Sequence, residues 1–275
     1  MKISLPNYAL MGNPVSHSKS PFIHRYFSEK TNIAMDYDAI LVPTQGFREA
    51  LSAFQKQGGK GLNITLPFKQ QAFILMDTLG KAAQQAGAVN TIFFRPDGSR
   101  YGENTDGIGF LRDYMENHQG EISGKKILLL GAGGAARGIL GPILGLGPKE
   151  VIIVNRTKNK ADVLVQDFKK FGPVKRVDMN ELSEFQFDLI INATSASLKE
   201  ELFELPAVIF KSHPWCYDMV YQSQPTSFLV FAKAQGANKC IDGLGMLVEQ
   251  AAESFFIWHG IKPETQTLIE ALRKT

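Results

Sequence analysis

Cysteine is almost missing from this chain of 275 residues: Cys216 and Cys240 are the only two. That excludes a disulfide framework, and the two cysteines form no metal-ligand spacing. Two free thiols in a reducing compartment are expected, and no metal. Net charge is scarce too. The 30 Lys and Arg against 27 Asp and Glu leave +3, with no long basic run. Nucleic acid is therefore not the expected partner, while a small anion is compatible. Long apolar runs are lacking, and nothing approaches the ~20 residues of a membrane helix. The start, MKISLPNYALMG, is interrupted by Pro6 and Asn7 before a signal-peptide core could form. A cytoplasmic protein with no membrane partner is expected. Internal repeats and low-complexity segments are absent as well.

What the chain does have is a core-forming composition, 44% hydrophobic against 21% charged, and length for one large domain or two ordinary ones. Its organising stretch is Lys125 to Gly138, KKILLLGAGGAARG. An apolar run empties into glycines and then small residues, the order strand, tight turn, helix. Gly131, Gly133 and Ala136 match the spacing G-x-G-x-x-G/A of a dinucleotide-binding turn. The first glycine permits the turn and the second lets backbone N–H groups approach a pyrophosphate. The small third residue lets helix and strand pack. Glycine-rich turns also serve packing alone; a second strand at Val151 to Val154 favours the cofactor reading.

Before that turn the chain alternates. Strands are expected at Tyr8 to Met11, Asp36 to Val42 and Gly61 to Thr65, with helices from Pro21, from Thr44 and from Pro67. Ser20 is the expected cap of the first helix. This alternation predicts a parallel sheet. Pro96-Asp97-Gly98 marks a hairpin, and Asn104-Thr105-Asp106 caps a helix to about Asn117. After the glycine turn, strands follow near Val174, at Phe187 to Asn192 and at Cys216 to Tyr221. Pro142 should kink or shorten the helix it lies in.

Several residues could carry chemistry. The second strand of the glycine-turn domain ends Asn155-Arg156-Thr157, with Lys158 and Lys160 behind and no carboxylate at that point. Arg156 suits a 2′-phosphate, which favours NADP over NAD; a solvated basic helix start is the plainer reading. Ser16, Ser18 and Ser20 alternate in VSHSKSP and could hold a carboxylate, or simply form a capping turn. Lys69 falls in the first turn of a helix, where the dipole disfavours a cation. Paired with Asp106 it could relay the proton that accompanies a hydride. The five histidines, His24 among them, are scattered, and packing or surface roles are expected for all.

Taken in order, GNPVSHSKSP, NITLPFK, GAVNT, ENTDG, GAGGAARG, NRT, INAT, YDMVY and DGLGMLVEQAA closely resemble the shikimate dehydrogenase family over nearly the whole chain. The resemblance implies an α/β fold: an N-terminal α/β substrate domain (1–106), a Rossmann-type NADP-binding domain (107–242) and C-terminal helices (243–275) returning to the first, with a cleft between the domains. It implies reversible NADPH-dependent reduction of 3-dehydroshikimate to shikimate, by a monomer or homodimer. Lys69 would be the acid/base and Asp106 its partner. Ser18, Ser20 and Tyr221 would hold the substrate carboxylate. Asn63, Thr65, Asn90 and Gln250 would join Lys69 and Asp106 on the ring hydroxyls. Gly131, Ala132, Gly133, Gly134 and Ala135 would cradle the pyrophosphate. Asn155, Arg156, Thr157 and Lys160 would take the 2′-phosphate, and Met219, Gly243 and Met246 would line the nicotinamide. Two departures stand out: Gln222 to Ser227 replaces the usual turn after Tyr221, and Lys81 stands where the family is often acidic. A relative acting on quinate, or a non-catalytic NADP-sensing module, are the rival readings.

Overall fold

The computed structural model describes residues 6–194, 196 and 205–274. The chain divides into two compact units, Met1–Phe110 with Leu247–Lys274, and Leu111–Met246. Among the described residues no helix is long and apolar enough to cross a membrane.

The first unit opens with β1 (Tyr8–Gly12), α1 (Ser20–Thr31), β2 (Tyr37–Leu41), α2 (Phe47–Lys56) and β3 (Gly61–Ile64). It continues through α3 (Lys69–Ile74), β4 (Thr78–Leu79), α4 (Lys81–Ala86), β5 (Thr91–Phe94), β6 (Arg100–Glu103) and the start of α5 (Asp106–Leu111). One sheet runs β2-β1-β3-β5-β6-β4. It is mixed, not parallel as the alternation predicts. β1 is parallel to β2 and β3, but β5 runs antiparallel to β3 and β6. The cause is the Pro96-Asp97-Gly98 turn, with Gly98 at φ +85°; so short a connection can only join antiparallel strands. Phe47, Leu51 and Phe54 bury the apolar stripe of α2, and Phe47 stacks on Phe68 at 4.8 Å.

Two helix starts differ from expectation. Ser20 is inside α1, not its cap; the Ser18 hydroxyl takes the Ser20 N–H at 3.2 Å. α3 begins at Lys69, two residues beyond Pro67, because Thr65 to Phe68 form a turn closed by Phe68 N–H on the Thr65 carbonyl at 3.0 Å.

In the second unit a π-helical turn, Arg112–Asn117, precedes β7 (Lys126–Leu130), α6 (Gly134–Gly145), β8 (Glu150–Val154), α7 (Lys158–Phe168) and β9 (Val174–Arg176). Then come β10 (Leu189–Asn192), β11 (Trp215–Asp218), α8 (Ser227–Ala234) and β12 (Lys239–Ile241). All six strands are parallel, in the order β12-β11-β10-β7-β8-β9. This is the doubly wound dinucleotide order, reversing direction between β7 and β10, where such sheets bind ligands. The centres of the four inner strands, β7, β8, β10 and β11, are buried, as parallel strands covered on both faces require; the edge strands β9 and β12 are partly exposed. Pro142 does not end α6, which runs on to Gly145; buried Ile139, Leu140, Ile143 and Leu144 hold its last turns to the sheet. From Leu247 onward α9 (Leu244–His259), followed by α10 (Gln266–Leu272), belongs to the first unit, where Trp258 packs on Tyr8 at 4.9 Å.

Candidate active site

Gly131 ends β7 at φ +109°, a conformation L side chains rarely adopt, and a Cβ there would press on Thr194 and Ala193 at 3.0 and 3.1 Å. Gly133 stands at the α6 N-cap, and a side chain on it would meet nothing within 4 Å. Ala132 and Ala136 are buried, while Gly134 and Ala135 form the half-buried first turn. The helix N-terminus and its N–H groups thus face open space, the physical requirement for holding a phosphate.

At the end of β8 the Asn155 amide closes the turn on the Thr157 carbonyl at 2.8 Å, leaving Arg156, Thr157 and Lys160 exposed. The strand end itself, Asn155 to Thr157, carries no carboxylate. Asp178, just past β9, takes Lys158 Nζ at 2.7 Å, because parallel strands bring their C-terminal ends together. That carboxylate also holds Arg176 and caps the 3₁₀ turn at Met179–Glu184. Lys158 foremost, with Arg176, keeps its carboxyl below the usual range. Asp178 is thus already occupied by cations and N–H groups. Past β11, Gly243 donates to the Val220 carbonyl at 3.1 Å and lies so close to Met219 that no Cβ would fit. Met246 is buried nearby in sequence on α9, and Tyr221 is half-buried in the loop after β11.

In the first unit Lys69 Nζ lies 2.5 Å from Asp106 Oδ2, with side chains 14% and 7% exposed. Asp106 is the first residue of α5, where the dipole favours a carboxylate. Its other oxygen accepts from Asn90 Nδ2 at 2.8 Å, and Gln250 Oε1 stands 3.4 Å from that same Asn90 nitrogen. Lys69, Asn90, Asp106 and Gln250 are therefore one cluster. Thr65 is half-buried, its N–H on the Met11 carbonyl at 3.0 Å. Asn63 is turned inward. It is 5% exposed, and its amide bonds within the protein to Thr91, Ser254, Tyr37, His24 and the Asn90 carbonyl. This arrangement does not support the expected contact of Asn63 with ring hydroxyls.

Three family profiles match the chain: the shikimate dehydrogenase substrate binding domain over residues 10–92, shikimate / quinate 5-dehydrogenase over 113–203, and the shikimate 5'-dehydrogenase C-terminal domain over 243–273. A shikimate dehydrogenase (NADP(+)) of Alkalilimnicola ehrlichii is 50% identical over 97% of this chain and 98% of its own. The chain belongs to the shikimate dehydrogenase family. A second relative of that name, from Hahella chejuensis, is 48% identical over 97% of this chain and 98% of its own. Among solved structures, an Ael1 enzyme from Pseudomonas putida superposes with a TM-score of 0.89 at 42% identity, covering 96% of this chain and 97% of that one. Shikimate 5-dehydrogenase from Thermus thermophilus, in complex with NADP(H) and shikimate, gives 0.86 at 33% identity, covering 97% and 98%.

Behind the Lys69–Asp106 cluster of this shikimate dehydrogenase family member lies a second layer of small polar side chains. Thr91, Thr105 and Ser254 are fully buried and bond one another and Asn90. Thr91 and Thr105 sit inside GAVNT and ENTDG, so the motifs hold them without a role, and Ser254 carries no local signal. His24 is fully buried, stacked on Tyr37 at 4.2 Å, with Nε2 3.1 Å from Asn63 Oδ1. Burial pulls its pKa down to about 3.

Proposed function

We propose that this chain catalyses the reversible NADPH-dependent reduction of 3-dehydroshikimate to shikimate, a step of aromatic amino-acid biosynthesis. The observation that carries the reading is the largely buried Lys69–Asp106 pair, held by Asn90 and flanked by Gln250. NADPH, when bound, supplies the hydride to the carbonyl carbon. Gly131 to Ala135 would hold its pyrophosphate, and Asn155, Arg156, Thr157 and Lys160 its 2′-phosphate; the bare glycine turn and exposed cations fit those groups. Met219, Gly243 and Met246 are the residues that would face the nicotinamide.

Lys69 gives the substrate oxygen its proton in reduction and takes it back in oxidation. Asp106 orients the ammonium and accepts from a ring hydroxyl. Thr65, Asn90 and Gln250 hold the remaining hydroxyls, and Ser18, Ser20 and Tyr221 the carboxylate; Asn63 supports them from behind. The protein would act in the cytoplasm, as a monomer or homodimer.

Absorbance at the NADPH band, with shikimate or quinate and either NADP⁺ or NAD⁺, tests this. Shikimate with NADP⁺ is expected to give the highest kcat/KM. Preference for quinate or NAD⁺ would move the chain to the quinate-acting relatives, and ligand binding without turnover would make it a sensing module.

A further inference from the structure

We propose that Thr91 is a positioning residue for the Lys69–Asp106 pair: its hydroxyl is one link of a one-directional hydrogen-bond chain that ends on the Asp106 carboxylate. This rests on the reading of Lys69 and Asp106 as the catalytic pair. Every link lies in the first unit.

The direction follows from groups that can only donate or only accept. The Thr105 N–H lies 2.8 Å from one side-chain atom of Asn90, which must therefore be its oxygen. The Asn90 nitrogen then faces Asp106 Oδ1 at 2.8 Å. The Thr91 hydroxyl lies 2.9 Å from the same Asn90 oxygen and gives its single proton there. Thr91 in turn accepts from Asn63 Nδ2, a donor only, at 3.3 Å. Ser254 lies beside this link, 2.8 Å from Thr91 Oγ1, and gives its own proton to the Gln250 carbonyl at 3.0 Å. Ser254 Oγ receives from Asn63 Nδ2 at 3.0 Å. The Asn90 carbonyl, 3.3 Å from that nitrogen, fixes the Asn63 amide. Asn63 Oδ1 is left to two donors, Tyr37 O–H at 2.8 Å and His24 Nε2–H at 3.1 Å. Accordingly His24 Nδ1 has no partner among the described residues.

The chain therefore runs from Tyr37 and His24 through Asn63, Thr91 and Asn90 to Asp106, always donor to acceptor. Each donation polarises the next, and burial removes the water that would screen them. The positive end of every dipole points toward Asp106, adding to the Lys69 ammonium on its other oxygen. The titratable groups facing this array are Lys69 on α3, His24 on α1 and Tyr37 on β2, with His259 on α9 opposing the charging of His24. Burial keeps His24 neutral and Tyr37 protonated, so both remain donors through neutral pH.

The test compares T91V, T91A and T91S with the wild-type protein. Valine keeps the shape of threonine and removes the hydroxyl; serine keeps the hydroxyl. Three readouts are taken: kcat for shikimate oxidation, KM for NADP⁺, and Tm of the free protein. In T91V kcat is expected to fall by about 10-fold, the loss of one buried hydrogen bond to the pair's support, with KM for NADP⁺ unchanged. T91S is expected to restore kcat. Wild-type kcat in T91V overturns the proposal, as does an equal fall in T91S, which would assign the effect to packing. If T91V does not fold, T91A decides by the same comparison with T91S. Inactivity of the wild-type protein with shikimate would overturn the functional reading instead.

Discussion

Lys69 reaches Asp106 from the first residue of α3, where the helix dipole works against a cation. The carboxylate 2.5 Å away offsets that penalty and aims the ammonium. Lys69→Ala should lower turnover of shikimate by about 10²–10⁴-fold, as expected for an acid/base group, with NADPH affinity unchanged by fluorescence titration. Turnover near the wild-type value would remove Lys69 from the chemistry. His24 acts on stability. Unfolded, it titrates near 6.5; folded, burial holds it neutral down to about 3. Between these values the unfolded chain binds more protons. The contribution of His24 is therefore complete above pH 6.5 and is lost toward pH 3, by up to about 1.4 kcal/mol per pH unit. Urea unfolding at pH 7 and pH 5 should show this fall, and a shallower one in His24→Gln; equal slopes would refute it.

Among the elements, the end of β8 carries the proposed 2′-phosphate contacts. Asp178 is occupied by Lys158 and Arg176, and the exposed Arg156 and Lys160 give the turn its basic face. Arg156→Ala should raise KM for NADP⁺ about 10- to 100-fold, the loss of a charged hydrogen bond of about 1.5–3 kcal/mol, and leave KM for NAD⁺ unchanged. Equal effects on both cofactors would place Arg156 away from the 2′-phosphate. How far such elements are legible in sequence depends on their range. The β7–Gly131–α6 turn and the stripe Phe47, Leu51, Phe54 are local patterns and read directly. The mixed sheet order of the first unit is not local, and β4 and α4 are too short to show periodicity. Asp178 is distant from Lys158 in sequence and meets it only through strand pairing. Lys69 and Asp106 are visible as unusual residues in motifs. The buried Thr91, Thr105 and Ser254 behind them look like ordinary small polar residues until the fold assembles them.

For the whole molecule, the distribution of these groups between two compact units has a measurable consequence. Lys69, Asp106, Asn90 and Gln250, with Ser18 and Ser20, lie in the first unit; the glycine turn and Arg156 lie in the second. A ligand that binds only the folded state stabilises it by mass action, about 2.7 kcal/mol at a hundredfold excess over Kd. NADP⁺ and shikimate should each raise Tm when added alone, because each finds its main partners within one unit. Arg156→Ala should then abolish most of the NADP⁺ shift at fixed concentration and keep the shikimate shift. Replacing Ser18 and Ser20 together by alanine should do the reverse. Loss of both shifts from either substitution would mean that the two ligand sets depend on each other for their structure. Retention of the complementary shift would assign each ligand to its unit, independently of any turnover measurement.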